Sequence, residues 1–455
     1  MTVLDHLLAD LGLHDVEVAT AGPRHVLPSP FDVTELAAAS IGAATAGIAA
    51  LHGLRHGETA PRVAVDRRHA AVAFRSERHL RIDGGAPTLW DPLSGHHRAA
   101  DGRWVQLHAN FPHHRDGILD HLGVDATREA VGRAIAGRDA FELEAELVGR
   151  GLVCAAMRSL DEWDHHPHGR ARSAEPPVLI ERLDDAPVPA LGPTARPLGG
   201  VRVLDLTRVI AGPVASRTLA AHGADVLRIT SPRLPVVTAV EPDTTLGKRS
   251  AHLDLDEPSG RSALHRLVDE ADVFVQSYRP GALAARGFGA PELARRRPGI
   301  VHVSVSAFGT TGPWGGRRGF DSICQTATGI AHEGGRPDGD GAPRPLPCQA
   351  LDHATGFLAA AGAAVALTRR ERDGGSWAVT VSLQRTRDLL VSLGVDHEAS
   401  DGVVAPGHDD VGDLLDHRDT GIGTVTHVRP PGEIDGSPAR WDRGPAAAGT
   451  HAPTW

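Results

Sequence analysis

The chain has 455 residues but only three cysteines, one lysine and one tyrosine. Cys154, Cys324 and Cys348 lie too far apart in sequence for a disulfide framework or a zinc pattern, which fits a reducing, cytoplasmic setting. No apolar run looks long enough to cross a bilayer. The opening Met1-Thr2-Val3-Leu4-Asp5-His6 has neither a basic region nor an apolar core, so neither export nor a membrane partner is expected. A basic excess is also missing. The net charge of -10 argues against nucleic acid as a partner, and an anionic ligand would have to be met by a local patch. Nearly every basic residue is arginine. Compositional drift produces that bias without any function, but Lys248 also marks a place where a compact ammonium is wanted instead of a planar fork. Both readings stay open.

What is present is an α/β pattern. Val201-Arg202-Val203-Leu204-Asp205-Leu206 is an apolar strand, Thr207 to Pro213 a glycine-containing turn, Val214 to His222 a helix, and Ala224 to Ile229 a second strand. Strand, turn, helix, strand is a βαβ unit, whose ligand site lies at the carboxyl ends of the strands. Further strands at 273–276 and 300–305 alternate with amphipathic segments and predict a Rossmann-like parallel sheet. Near its end, Leu351-Asp352-His353-Ala354-Thr355-Gly356 opens a small-residue helix. An aspartate there sits at the positive end of the helix, with its oxygens accessible and, if exposed, ionised at neutral pH. By position alone the helix-cap reading is the favoured one.

The amino half reads as a long Ala-rich helix over 33–56, a strand over 62–66, and a hairpin over 95–107 with its turn at Asp101-Gly102. The helix and strand at 33–66 can be laid over 349–382, and Leu36 then falls where Asp352 stands. These features divide the chain into an amino-terminal helix-and-strand region at 1–90, a smaller α+β domain at 91–186, and a Pro-rich linker at 187–199. A Rossmann-like domain follows at 200–397, and then an irregular wrapping tail with little structure of its own at 398–455.

Several pieces in this order resemble the class III CoA-transferase (CaiB/BaiF) family. They are Gly200 to Leu206, Gly223-Ala224-Asp225-Val226, Gly247-Lys248-Arg249-Ser250, Tyr278-Arg279-Pro280-Gly281-Ala282, Phe308-Gly309-Thr310-Thr311-Gly312-Pro313, Arg318-Gly319-Phe320-Asp321, and the Asp352 helix. The order spans about half the chain, and the echo at 33–66 then reads as the back of a truncated first copy. The resemblance implies CoA transfer from an acyl-CoA to a carboxylic acid, with Asp352 as the nucleophile, CoA as part of the substrate and no separate cofactor. It also implies an interlocked homodimer. The contacts it suggests for CoA are Arg208, Lys248, Arg249, Tyr278 and Arg279. The Phe308-Gly309 turn would supply backbone N–H groups for an oxyanion, unless that glycine-rich loop is merely mobile. Thr230-Ser231-Pro232 departs from the acidic-then-basic pair common there and alters the nucleotide grip.

His113-His114 and His165-His166-Pro167-His168 have no carboxylate or cysteine at ligand spacing, so no metal is expected. The rival readings are a 2-methylacyl-CoA racemase and a non-catalytic CoA-binding protein. The racemase pattern has histidine where this chain has Phe320.

Overall fold

The computed structural model describes residues 2–172, 174–335 and 341–455. Its centre is a seven-stranded sheet. Across the sheet the strands run Arg249–His252, Asp225–Thr230, Arg202–Leu206, Val273–Gln276, Val301–Ser306, Trp377–Ser382 and Val178–Arg182. The first six are parallel and the last is antiparallel. Strands buried on both faces are apolar along most of their length, which is why these segments read as continuous hydrophobic runs. The chain order reverses between Arg202–Leu206 and Val273–Gln276, and in open α/β sheets that reversal opens a crevice at the carboxyl ends of the strands.

A second sheet joins Val18–Ala21, Val63–Asp66 and Glu433–Ile434, the first pair parallel and the last antiparallel. The 24-residue helix Val33–His56 connects its parallel strands. The large sheet repeats this arrangement. Val301–Ser306 and Trp377–Ser382 flank the 24-residue helix Ala350–Asp373, and Val178–Arg182 closes the edge antiparallel. The echo in the sequence is therefore a structural repeat. Each sheet takes its antiparallel strand from chain that follows the other copy.

The two long helices pack on each other and are buried on nearly every face. Both are long and apolar enough to cross a membrane, which corrects the expectation that no such run exists. Their apolarity has another cause, since a helix buried all round has no polar face to keep. Small residues allow the close approach. A Cβ on Gly47 would stand 3.3 Å from the Ala361 carbonyl oxygen, and one on Gly356 only 2.5 Å from that of Ala211.

The smaller domain has a core of its own, built by the three-stranded sheet Gly95–Arg98, Trp104–Leu107 and Cys154–Ala156 with three helices. The carboxyl tail is more ordered than expected. Leu415–Thr420 and Gly423–Val428 form a hairpin that adds to Arg81–Ile82. The β-branched run Thr424-Val425-Thr426 favours that hairpin, but the surrounding Asp, Gly and Pro obscure it in the sequence. Trp441 and Trp455 then pin the tail by donating from their indole nitrogens to the carbonyls of Arg217 and Leu267, each at 2.9 Å.

Candidate active site

A cavity of about 430 Å³ lies over the carboxyl ends of all six parallel strands. Leu206 and Arg208 enter it from the first strand, Ile229 to Ser231 from the second, and Leu253 to Asp256 follow the third. Ser277 to Pro280 follow the fourth, Val305 to Ala307 the fifth, and Leu383 the sixth. Its charge is mostly positive, from Arg208, Arg233, Arg279, Arg286, Arg317 and Arg318. Arg233 and Arg286 are exposed and share rim carboxylates, Asp254 and Asp256, each at 2.7 Å. Arg279 is exposed and has no ion-pair partner among the described residues. Arg208 is turned inward, with its guanidinium over the Phe111 ring at 4.7 Å and donating to the Pro235 carbonyl. Tyr278 is half-buried in the wall, and burial raises its phenol above the ordinary value.

Asp352 lies at the floor. The helix begins at Ala350 with Gln349 as its cap, so Asp352 is in the first turn and is not the capping residue. It is only 7% exposed, which corrects the expectation of an exposed, freely ionised carboxylate. Burial, then the carboxylates of Asp321 and Glu77, hold its pKa well above the ordinary carboxylate range. Asp321, the first residue of the helix Asp321–Ala327, accepts the Asp352 backbone N–H at 2.9 Å and a second hydrogen bond from Gln325. Burial raises Asp321 to about 6, despite these donors. Glu77 comes from the amino-terminal copy and meets His353 at 3.0 Å. Burial works to raise Glu77, but the His353 hydrogen bond and charge outweigh it and leave the group below its ordinary value.

Asp352 also borders a second cavity, of about 40 Å³. Val209, Ile210 and Phe320 border both spaces. Val209 has φ 70, in the left-handed region that a β-branched residue adopts only under strain, and such outliers concentrate at functional sites. Phe320 is stacked on His108 with ring centroids 3.8 Å apart. Burial pushes His108 down to about 3, so its imidazole is neutral.

Four of the residues suggested for CoA lie outside the large cavity. Lys248 is fully buried beneath the first turn, where it donates to Asp205 at 2.8 Å and to the Pro213 carbonyl at 2.9 Å. Asp205 also accepts from Thr207 and Ser216, so this cluster holds the shape of the turn. Burial pulls Lys248 down to about 8, against the pull of Asp205. Arg249 pairs with Asp225 at 2.8 Å and donates to the Thr454 carbonyl at 2.6 Å. Phe308 is buried among Trp163, Trp314 and His168. The Gly309 N–H donates to Ser306, and a Cβ there would lie 2.3 Å from the Arg172 guanidinium. The Gly309 N–H is therefore already used and is not open to an oxyanion. The glycine-rich loop is clamped by the smaller domain, with Arg317 donating to Glu144 at 2.7 Å and Arg318 to the Gly151 carbonyl at 2.7 Å.

The histidine runs have packing partners. His168 lies between Phe308 and Trp314, donating from Nε2 to the Phe308 carbonyl and accepting at Nδ1 from the Trp314 N–H. His113 and His114 lie beside Phe111.

Because Lys248 neutralises a buried carboxylate, Lys248→Met is expected to cost about 3–5 kcal/mol, the usual penalty for stranding one partner of a buried pair. Urea unfolding would measure it. A large change in ligand affinity with unchanged stability would return Lys248 to the ligand site.

The sheet order, the crevice at its reversal and the arginine-lined cavity define a nucleotide-type α/β protein. Residues 198–411 match CoA-transferase family III. An acyl-CoA transferase of Gibberella moniliformis is 32% identical over 318 residues, covering 64% of this chain and 55% of that protein. The succinyl-CoA:glutarate CoA-transferase of Mus musculus is 35% identical, covering 39% of this chain and 43% of that protein. A crystal structure of a hypothetical protein from Mycobacterium tuberculosis is 33% identical, covers 44% of this chain and 57% of that chain, and has a TM-score of 0.40. The chain spans about half the length of such relatives, or less.

Sequence reasoning missed Asp321, Glu77, His108 and the second cavity. Asp321 had a signal, standing last in Arg318-Gly319-Phe320-Asp321. Glu77 had none, because it reaches His353 across 276 residues.

Proposed function

We propose that this chain transfers CoA from an acyl-CoA thioester to a carboxylic acid, with Asp352 as the catalytic nucleophile. The observation that carries this reading is that Asp352 is, among the described residues, the one carboxylate bordering both cavities. An arginine-lined cleft suits the phosphates of CoA, and the small space suits the acyl end. Relatives named as CoA-transferases support the same reading.

In the first step an Asp352 oxygen attacks the thioester carbonyl. The C–S bond breaks, CoA leaves as thiolate, and a mixed aspartyl anhydride remains. The thiolate then attacks the aspartyl carbonyl, which releases the first acid as carboxylate and leaves an aspartyl-CoA thioester. The acceptor carboxylate attacks that thioester, expelling the thiolate. The thiolate takes the acceptor's acyl group and frees the Asp352 carboxylate. Protons enter this scheme only at Asp352 itself, whose raised pKa means the proton must leave before attack. Phe320 has no group that can exchange an α-proton, so the racemase reading is not favoured.

Borohydride added to enzyme and acyl-CoA should reduce the aspartyl thioester. Mass spectrometry should find the product in the peptide carrying Leu351-Asp352-His353. An unmodified peptide under turnover would remove Asp352 as the nucleophile.

A further inference from the structure

We infer that the second cavity is the binding site for the acid, and that it selects short dicarboxylic acids by pairing their far carboxylate with Arg78; this rests on the CoA-transfer reading above. Size is the first ground. At about 40 Å³ the cavity has room for roughly three waters, which suits an acid of a few carbons and not a fatty chain. Leu89, Trp90, Val237 and Val240 line its apolar side.

Charge is the second ground. Asp352 stands in the wall of this cavity, and so does Arg78. The Arg78 Nε is buried with no hydrogen-bond partner, and its nearest carboxylate oxygen, on Glu77, is 3.9 Å away. Glu77 meanwhile spends its other oxygen on His353. A guanidinium whose Nε lacks a hydrogen bond beside a small cavity is a ready partner for a carboxylate, which it can bind through two parallel N–H groups. Glu77 also lines this wall; of the uncharged polar groups there, His108, Gln349 and Asn110, the amide of Asn110 is fully used. Its Oδ1 accepts from the Asp91 N–H and the Ser94 hydroxyl, and its Nδ2 donates to the Leu89 carbonyl. Among the described lining residues Arg78 is the one cation, and so the group that can pair with a carboxylate. An acid bound with one carboxylate at Asp352 and the other at Arg78 has its reacting end fixed, which a monocarboxylate of the same length lacks. Arg78 belongs to the amino-terminal copy, so that copy, which has lost its own nucleophile at Leu36, would supply the specificity of the copy that kept it.

Acid exchange tests this without a search for the natural donor. Each acyl-CoA is mixed with its own ¹³C-labelled acid, and label entering the thioester is followed by mass spectrometry. The pairs are malonyl, succinyl, glutaryl, butyryl and octanoyl. Exchange with at least one of the three dicarboxylic pairs is expected to exceed the butyryl and octanoyl pairs by about 10-fold or more in kcat/KM. Arg78→Met should lower exchange of that pair by roughly 10- to 100-fold, and by at least several-fold more than it lowers butyryl exchange. Arg78→Lys should recover part of the loss, which also shows that the fold survives substitution there. Octanoyl or butyryl exchange equal to the best dicarboxylic pair, or an Arg78→Met variant that lowers all pairs alike, overturns the assignment of Arg78 while leaving CoA transfer intact. No exchange with any pair, together with no borohydride adduct on Asp352, overturns the CoA-transfer reading and this inference with it.

Discussion

Asp352→Ala and Asp352→Asn are expected to lose CoA transfer by roughly 10⁴-fold or more, because removing a covalent nucleophile leaves only binding and positioning. Asp352→Glu keeps the anion but moves it by a methylene against a tightly packed floor, and should also be severely impaired. The asparagine variant carries a second expectation of opposite sign. Asp352 is buried, and Asp321 and Glu77 lie close enough to raise its pKa. A carboxyl whose folded pKa lies above its unfolded value contributes no penalty while it is protonated in both states. The penalty begins as pH rises through the unfolded value, near 4, and is complete only above the folded value. Asp352→Asn should therefore match wild type in thermal stability near pH 4 and exceed it by roughly 2 °C or more at pH 8. Thermal melts at the two pH values, read beside the transfer rates, separate a nucleophile kept at a cost to stability from a structural aspartate. A variant that is inactive and less stable at both pH values would point to the structural role.

The second large effect concerns Asp321. Its carboxylate accepts the Asp352 N–H and lies among the causes of the raised Asp352 pKa. If Asp352 attacks as an anion, kcat/KM should rise with pH as the Asp321–Asp352 pair gives up its protons, and the limb should belong to the pair and not to one residue. Asp321→Asn removes one negative charge and should move that limb to lower pH, so that the variant retains a larger share of its maximal rate at pH 6 than wild type does. The maximal rate itself should fall, by roughly 10-fold, because an asparagine must accept from Asp352 N–H with one atom and then presents a donor to the Gln325 amide, leaving a buried polar group unsatisfied. A pH–rate profile of both proteins reads the two effects separately. An unmoved limb would mean that Asp321 positions the helix without tuning the charge.

How far the site could be read in advance depended on how local its parts are. Asp352 was legible because a helix start and a small-residue run are written in consecutive residues. The crevice was legible because apolar strands at regular intervals, separated by helices, permit few topologies. Lys248 was singled out for its rarity, yet it closes a buried ion pair with Asp205, 43 positions earlier. A charge turned into the core and one turned toward a ligand look the same in a linear string. Arg249 and Phe308 went the same way, one to Asp225 and the tail, the other to an aromatic cluster in the smaller domain. Gly309 kept its left-handed backbone, with φ 79, but the space a side chain would have filled belongs to Arg172 and not to a ligand.

By itself, then, the sequence determined the α/β class, the strand–helix–strand repeat, the hairpin of the smaller domain and the helix that carries Asp352. Each of these follows from hydrophobic period, turn residues and caps acting over a few consecutive positions. Only the tertiary structure decided which charges face the cavity, that Glu77 and Arg78 of the first copy reach the second, and that the tail closes the first copy's sheet. It also decided that Asp352 is buried beside two other carboxylates. Those outcomes depend on desolvation and pairing between segments up to several hundred residues apart, and no local pattern encodes which partner a buried charge will meet.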